Sequence, residues 1–216
     1  MTIAETTTLP TLAFQVESAG PVRFAAAPTV AFALRIGSDR PVRSVALNTQ
    51  IRISPARRRY SDRDQERLAE LFGPPGQWGE TLRTFRWALV STLVPPFEDV
   101  TAVELTVPCT YDLEVATAKY FYGLDEGDVP LEFLFSGTIF FAAEGVGLQT
   151  AQIPWESELG YRMPARVWKE AMQLHFPGSA WLRIRDDVFD RLVAYKARRS
   201  MPTWEATLEE LLEGRE

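Results

Sequence analysis

The segment Leu131-Glu-Phe-Leu-Phe-Ser-Gly-Thr-Ile-Phe-Phe141 carries apolar side chains at alternate positions. Successive side chains of a β-strand point to opposite faces of the sheet, so this alternation assigns residues to faces. One face would hold Leu131, Phe133, Phe135, Ile139 and Phe141, and the opposite face would hold Leu134 and Phe140. Because both faces carry large apolar side chains, we predict that this segment is a central strand of a sheet.

Alternation of the same kind occurs on both sides of this segment. Residues 29–36 and 45–53 each show it, and the turn residues at 37–41 between them predict a β-hairpin. Further strands are predicted at 85–94, 103–107, 111–115 and 151–153. The chain would then contain about eight strands separated by turns.

One helix is predicted inside the strand-rich part of the chain. Ser61 offers a capping side chain, and Asp64 follows three positions later. Leu68, Leu71 and Phe72 then recur at helical spacing before Gly73. These residues predict a short inserted helix, and the proline- and glycine-rich residues 74–79 after it predict a loop.

Helical spacing returns after residue 153. Pro164 opens a helix that Gly178 ends, and a second helix covers the apolar positions 188–193. A third helix begins at Thr203, a candidate N-cap. The predicted fold class is therefore α+β, mainly β. It is an antiparallel sheet or β-sandwich with an inserted short helix and about three C-terminal helices packed on it.

Length and composition bound the organisation of the chain. The 216 residues are 46% hydrophobic and 24% charged, which is typical of a globular protein. We predict a flexible N-terminal tail at 1–11 and a single globular domain at 12–216, β-rich at 12–153 and helical at 154–216. The net charge of -6 disfavours a nucleic-acid partner, and no window is apolar for long enough to span a membrane.

The scarcity of histidine and cysteine limits the chemistry. His175 is at the end of a predicted helix, where an imidazolium is electrostatically favoured, and Cys109 is at the start of a predicted strand, where a thiol is usually buried. One residue of each kind cannot build a metal cluster, and no phosphate-binding or nucleophile motif occurs. We predict no catalytic residue, metal, cofactor or enzymatic activity. The absence of a secretory signal or a cysteine pair predicts a cytoplasmic location.

Two groups of residues are candidate binding sites. The basic cluster Arg57, Arg58, Arg59 and Arg63 is a candidate patch for an anionic partner, with a solvated, acid-compensated face as the alternative. The aromatic residues Trp155, Tyr161, Trp168 and Trp181 are candidate protein-binding residues, because such side chains anchor interfaces when they are exposed. The alternative is that they belong to the core.

Several segments resemble an uncharacterised actinobacterial family of unknown function over residues 12–212. They are Val107-Pro-Cys-Thr-Tyr-Asp-Leu-Glu-Val-Ala116, Ala118-Lys-Tyr-Phe121, Pro130-Leu-Glu-Phe-Leu-Phe-Ser-Gly-Thr138 and Phe176-Pro-Gly-Ser-Ala-Trp-Leu182. Members of that family tend to be encoded near nickel–iron hydrogenase genes. The resemblance implies an accessory or assembly role with hydrogenase subunits or maturation factors as partners, and it supplies no catalytic residues.

A second resemblance concerns the fold. Ser136-Gly-Thr-Ile-Phe140, Pro164, Phe176-Pro and Val188-Phe-Asp190 follow in an order similar to the end of the export chaperone SecB. This implies an antiparallel sheet backed by helices, a groove for unfolded chains and a tetramer. Three functions therefore stay open. They are a non-enzymatic protein-binding or assembly protein, a SecB-like chaperone that holds unfolded chains, and a carboxylate-dependent enzyme. A homo-oligomer is also open.

Overall fold

The computed structural model describes residues 9–109, 115–143, 145–179 and 184–214. The chain forms two compact units, Met1–Ser179 and Ala180–Glu216. The single domain predicted for residues 12–216 and the tail predicted for residues 1–11 stay predictions. The first unit contains every described strand, and the second contains two helices.

The described strands of the first unit pair in two antiparallel sheets. The three-stranded sheet has the order β1 (Leu12–Pro21), β2 (Thr29–Ser38) and β5 (Val100–Pro108). The five-stranded sheet has the order β4 (Phe85–Val94), β3 (Ser44–Ile53), β6 (Asp128–Ala143) and β7 (Gly147–Gln152), and β8 (Glu158–Pro164) also pairs with β6.

Aromatic side chains join the inner faces of the two sheets. Phe14 of β1 stacks on Phe135 of β6 with ring centroids 4.1 Å apart. Phe32 of β2 meets Phe133 edge-on at 5.1 Å and Trp87 of β4 at 5.8 Å. Buried residues of both sheets form one apolar cluster. The first unit is therefore a β-sandwich with helices, and the predicted α+β, mainly β class is confirmed.

The predicted central strand is confirmed. β6 pairs with β3 along one edge and with β7 and β8 along the other. The five residues assigned to its inner face are all buried, whereas Leu134 and Phe140 on the outer face are half-buried. Gly137 of β6 has a φ of 141°, and a Cβ at this position would lie 2.0 Å from the Ala46 carbonyl oxygen of β3. Only glycine allows the two backbones to approach so closely at this point.

The predicted hairpin of residues 29–36 and 45–53 is wrong. β2 pairs with β1 and β5, whereas β3 pairs with β4 and β6, so the two strands belong to different sheets. The connection between them crosses from one layer of the sandwich to the other, and Val42 within it forms an isolated bridge with Phe97. Alternation predicted the buried face of each strand correctly but could not identify its partner strand.

The strand predicted at 111–115 is wrong at its last residue. Residues 110–114 lie outside the described ones, and Val115 begins the helix α3 (Val115–Gly123). Thr117, Ala118, Tyr120 and Phe121 of α3 are all buried. A helix buried on several sides has no polar stripe, so the helical period is hidden in its sequence. The strands β1 and β8 were also not predicted, although apolar residues alternate in both. They are Leu12, Phe14 and Val16 in β1, and Leu159, Tyr161 and Met163 in β8.

The inserted helix is confirmed as α1 (Asp62–Phe72). Ser61 and Asp64 form the predicted capping box, and Gly73 is the C-cap. The loop predicted at 74–79 is partly helical, because a 3₁₀ turn (Pro75–Gln77) leads into the short helix α2 (Trp78–Thr81). The indole nitrogen of Trp78 donates to the Gly73 carbonyl at 2.8 Å, which fixes this connection.

The C-terminal helices follow the predicted order. In the first unit, α4 (Ala165–His175) begins after Pro164 and ends three residues before Gly178, and it packs against β1 and β2. The second unit holds α5 (Asp186–Arg198) and α6 (Trp204–Glu213), and Thr203 caps α6 by accepting from the Ala206 amide. Phe189 meets Trp204 at 5.5 Å between these two helices. None of the described helices has the length and apolarity to cross a membrane.

We expect Gly137→Ala to lower the free energy of unfolding by about 3 kcal/mol, because the new methyl group would force β6 away from β3 in a strained conformation. Urea unfolding measures this change. Gly160→Ala in β8 is the matched control, since a Cβ there would meet nothing within 4 Å. Equal stability of the two variants would contradict the close approach at Gly137.

Candidate functional site

A pocket rich in arginine opens beside the start of β6. Its volume is about 540 Å³, which is within the range of small-ligand sites. We call it the arginine pocket, and it is lined by Ala56, Arg57, Arg58, Arg59, Gly127, Asp128 and Arg162. These residues come from three places in the chain: the turn after β3, the start of β6, and β8. The pairing of β6 with β8 brings Arg162 opposite Pro130 and so to the other arginines.

Arg58 lines the arginine pocket, but its guanidinium binds to other groups of the protein. Its side chain is 7% exposed. The guanidinium donates from Nη2 to the Glu126 carbonyl at 3.0 Å and from Nη1 to the Asp128 carbonyl at 3.3 Å. It also lies over the Tyr60 ring at 5.0 Å. Arg58 therefore fixes residues 126–128 to the segment after β3 and is not available as an outward-facing charge.

Asp64 compensates the buried charge of Arg58. Its Oδ2 lies 3.5 Å from Nη2 of Arg58 and accepts from the Ser61 amide at 3.2 Å. Its Oδ1 accepts from the Asp125 amide at 2.9 Å. A buried carboxylate is tolerable when charge and hydrogen bonds satisfy it in this way. The same side chain thus caps α1, pairs with Arg58 and holds the loop before β6.

Two tyrosines complete this buried polar network. The Tyr60 hydroxyl lies 2.9 Å from the Tyr120 hydroxyl and donates to the Pro55 carbonyl at 2.8 Å. Burial, together with Tyr120, raises the pKa of Tyr60 far above its ordinary value. Burial likewise raises the pKa of Tyr120. Both phenols therefore hold their protons more strongly in the folded protein than an exposed tyrosine does.

The outward-facing charge of the pocket comes from the other arginines. Arg57 pairs with Glu132 at 3.0 Å. Arg59 and Arg162 are exposed, and neither has an ion-pair partner among the described residues. Nη2 of Arg162 donates to the Arg57 carbonyl at 3.3 Å, which positions it at the rim. Against the single unpaired carboxylate of Asp128, the pocket has positive charge in excess on a chain that is acidic overall.

The structure therefore brings together only part of the predicted anionic-partner patch. Arg57, Arg58 and Arg59 line one pocket, whereas Arg63 is not among its lining residues and pairs with Asp125 at 3.3 Å. Arg67 also bonds to Asp125. The sequence did not point to Arg162, because no local pattern links it to residues more than a hundred positions earlier. Only the pairing of β6 with β8 makes it part of the pocket.

The four candidate protein-binding aromatic residues do not form one described surface. Trp168 is buried and stacks on Phe121 at 5.2 Å. Tyr161 is half-buried and lies edge-on to Phe32 at 6.2 Å, so it belongs to the margin of the core. Trp155 is 86% exposed, and Trp181 lies outside the described residues.

The other two candidate residues, His175 and Cys109, contact backbone carbonyl groups. His175 ends α4, with Nε2 2.9 Å from the Ala25 carbonyl oxygen and Nδ1 3.2 Å from that of Ala171. Cys109 is buried, and its Sγ lies 3.5 Å from the Val107 carbonyl oxygen. Among the described residues, no group of three or more His, Cys, Asp or Glu side chains is placed to hold a metal ion.

Comparison with known proteins identifies the family of the chain. The model of a family described as "Family of unknown function (DUF6084)" matches residues 9–216. The chain belongs to this family. None of the curated proteins compared with the chain matches it.

Two solved structures show a distant likeness. A β-glucosidase from Kluyveromyces marxianus is 10% identical, with a TM-score of 0.27 over 71% of this chain and 15% of that chain. β-Glucosidase 3B from Thermotoga neapolitana, solved with α-D-glucose, is 12% identical, with a TM-score of 0.25 over 70% of this chain and 17% of that chain. The chain thus spans less than a fifth of the length of either enzyme.

Asp64→Ala should lower the free energy of unfolding by about 3 kcal/mol, because it leaves the buried Arg58 guanidinium without its counter-charge. Asp62→Ala is the control, since Asp62 is an exposed carboxylate in the same helical turn. Chemical denaturation of both variants measures the difference. A loss at Asp64 no larger than that at Asp62 would show that the buried network does not stabilise the fold.

The raised pKa values of Tyr60 and Tyr120 predict a loss of stability in alkali. The unfolded chain releases these phenolic protons near pH 10, whereas the folded protein retains them, so the free energy of unfolding should fall as pH rises above about 10. The double variant Tyr60→Phe/Tyr120→Phe should show a shallower decline. Denaturant unfolding across the alkaline range, with phenolate absorbance as a second readout, tests this. An unchanged slope would contradict it.

Proposed function

We propose that this member of the DUF6084 family is a non-enzymatic protein-binding protein whose arginine pocket holds an acidic segment of a partner. One observation carries the proposal. Arg59 and Arg162 converge on one pocket, both are exposed, and neither has an ion-pair partner among the described residues. Guanidinium groups bind carboxylates through paired hydrogen bonds, so two of them beside one pocket suit an aspartate, a glutamate or a C-terminal carboxylate.

The rigidity of the pocket supports this function. Arg58 and Asp64 hold the segment after β3 against the loop before β6, so the backbone that carries Arg59 is fixed before a partner arrives. A binding site that is already ordered loses less conformational entropy on association. The buried Arg58 and Asp64 thus order the backbone of the pocket, while the exposed Arg59 and Arg162 attract the acidic segment.

The charge balance supports a protein partner in preference to a nucleic acid. The pocket contains the carboxylate of Asp128, and the chain carries a net charge of -6, so an extended polyanion would meet repulsion outside the pocket. A short acidic segment would meet only the local positive charge. Under this proposal the acidic segment belongs to an assembly client, and nickel–iron hydrogenase subunits and maturation factors are the first clients to test.

The SecB-like alternative predicts a different behaviour. A holdase binds many unfolded chains through apolar contacts, so its capture of clients would not depend on Arg59 and Arg162. The carboxylate-dependent enzyme is the third alternative, and it predicts turnover that is lost when pocket carboxylates such as Asp128 are replaced.

Quantitative pull-down from the native host tests the proposal. Arg59→Glu/Arg162→Glu should lose the specific partner by at least about tenfold, because two attractive charges become repulsive. The control Arg23→Glu/Arg166→Glu changes the net charge equally at exposed positions outside the pocket and should retain the partner. Mass spectrometry with isotope labels compares the recoveries.

Two other results of the pull-down would contradict the proposed site or function. A specific partner retained equally by both double variants would exclude the arginine pocket as its site. A broad set of unfolded clients, recovered equally by all forms of the protein, would favour the holdase. Binding of the purified partner should weaken as salt is raised across the physiological range, because screening acts on exposed charges.

A further inference from the structure

The outer face of the five-stranded sheet has an uncharged area. It comprises even-numbered positions 46–50 of β3, odd-numbered positions 89–93 of β4, even-numbered positions 134–142 of β6 and even-numbered positions 148–152 of β7. We call this area the neutral face. All of its residues are described, and none of them is Asp, Glu, Lys or Arg.

Large apolar side chains stand exposed on the neutral face. Leu93 is 72% exposed, and Leu89 and Leu148 are each 64% exposed. Leu134 and Phe140 are half-buried between them, and small polar residues such as Ser136 fill the centre. The outer face of an antiparallel sheet in contact with water is normally polar, and contiguous apolar area on such a face marks an interaction surface.

The other sheet of the sandwich provides an internal comparison. Its outward positions include Glu17, Arg35 and Glu104, and Arg35 lies 4.0 Å from Glu17. The charged end of the five-stranded sheet, with Arg52, Arg86 and Glu132, also lies outside the neutral face. Charged residues therefore border the neutral face, including Glu158 of β8 opposite Leu134, whereas the face itself combines exposed leucines with small uncharged polar residues.

We infer that the neutral face binds the neutral face of a second copy of this chain, so that the protein forms a two-fold dimer. Two identical surfaces can meet only if like charges do not face one another, and a surface without charge meets this condition in every orientation. A second copy brings no charge to a face that carries none, so the two-fold contact would bury no unpaired charge. This dimer is independent of the arginine pocket.

The size of the neutral face suits a modest dimer. Strand spacing and rise give it a flat area of roughly 400 Å², and the accessible surface of the side chains standing on it is larger. Two such faces have a combined flat area of roughly 800 Å² and a larger accessible surface, which places the contact at the small end of specific interfaces. We therefore expect an association that depends on concentration in the micromolar range.

Sedimentation velocity over a concentration series tests the inference. The full chain should convert from monomer to dimer, and Leu89→Glu/Leu93→Glu should raise the dissociation constant by at least about 100-fold, because it buries four carboxylates without partners in each dimer. Ser136→Glu tests the centre of the face without removing an apolar side chain. Leu212→Glu is the matched control, since Leu212 is 74% exposed in the second unit. This control should leave the dimer intact.

Salt distinguishes this contact from binding at the arginine pocket. Raising the ionic strength should leave the dimer intact or strengthen it, because both chains are acidic and the contact itself is uncharged. A chain that stays monomeric throughout would overturn the inference, and so would a dimer that both face variants retain. A monomer that suppresses aggregation of unfolded clients would also overturn it, and would assign the face to those clients.

Discussion

Strand β6 is the constraint on which the first unit depends, because it hydrogen-bonds to three other strands. Its inner side chains fill the centre of the sandwich, and its outer side chains form the middle of the neutral face. Its first residues border the arginine pocket. Gly137 lets β3 approach closely enough for this arrangement. One segment thus connects the core with both surfaces that we assign to binding.

The arginines of the arginine pocket have two different roles. Arg58 is buried with Asp64 and orders the surrounding backbone, whereas Arg59 and Arg162 stay exposed at the rim. A buried ion pair adds little net stability compared with an apolar pair of the same shape, so its value here is geometric. Exposed arginines on a fixed backbone can then meet a carboxylate without a large loss of conformational entropy.

The parts of the structure that could be predicted from the sequence depend on local patterns. The two faces of β6 and the capping box of α1 follow from side-chain periodicity and from residues three positions apart. Strand partners could not be predicted, and so β2 and β3 were joined wrongly. Helix α3 was missed because burial removes its polar stripe. Only part of the arginine pocket could be predicted. Arg57–Arg59 form a cluster in the sequence, whereas Arg162 joins them through the long-range pairing of β6 with β8.

The separation of β2 and β3 into different sheets affects how the chain can fold during synthesis. β2 finds its second neighbour only when β5 has been made, and β6 finds its last partner only when β8 has been made. Pairing between strands so distant in sequence slows folding, because long loops must close first. We therefore expect the nascent chain to stay open on the ribosome until nearly the whole first unit has emerged, with the apolar faces of its strands exposed in the meantime.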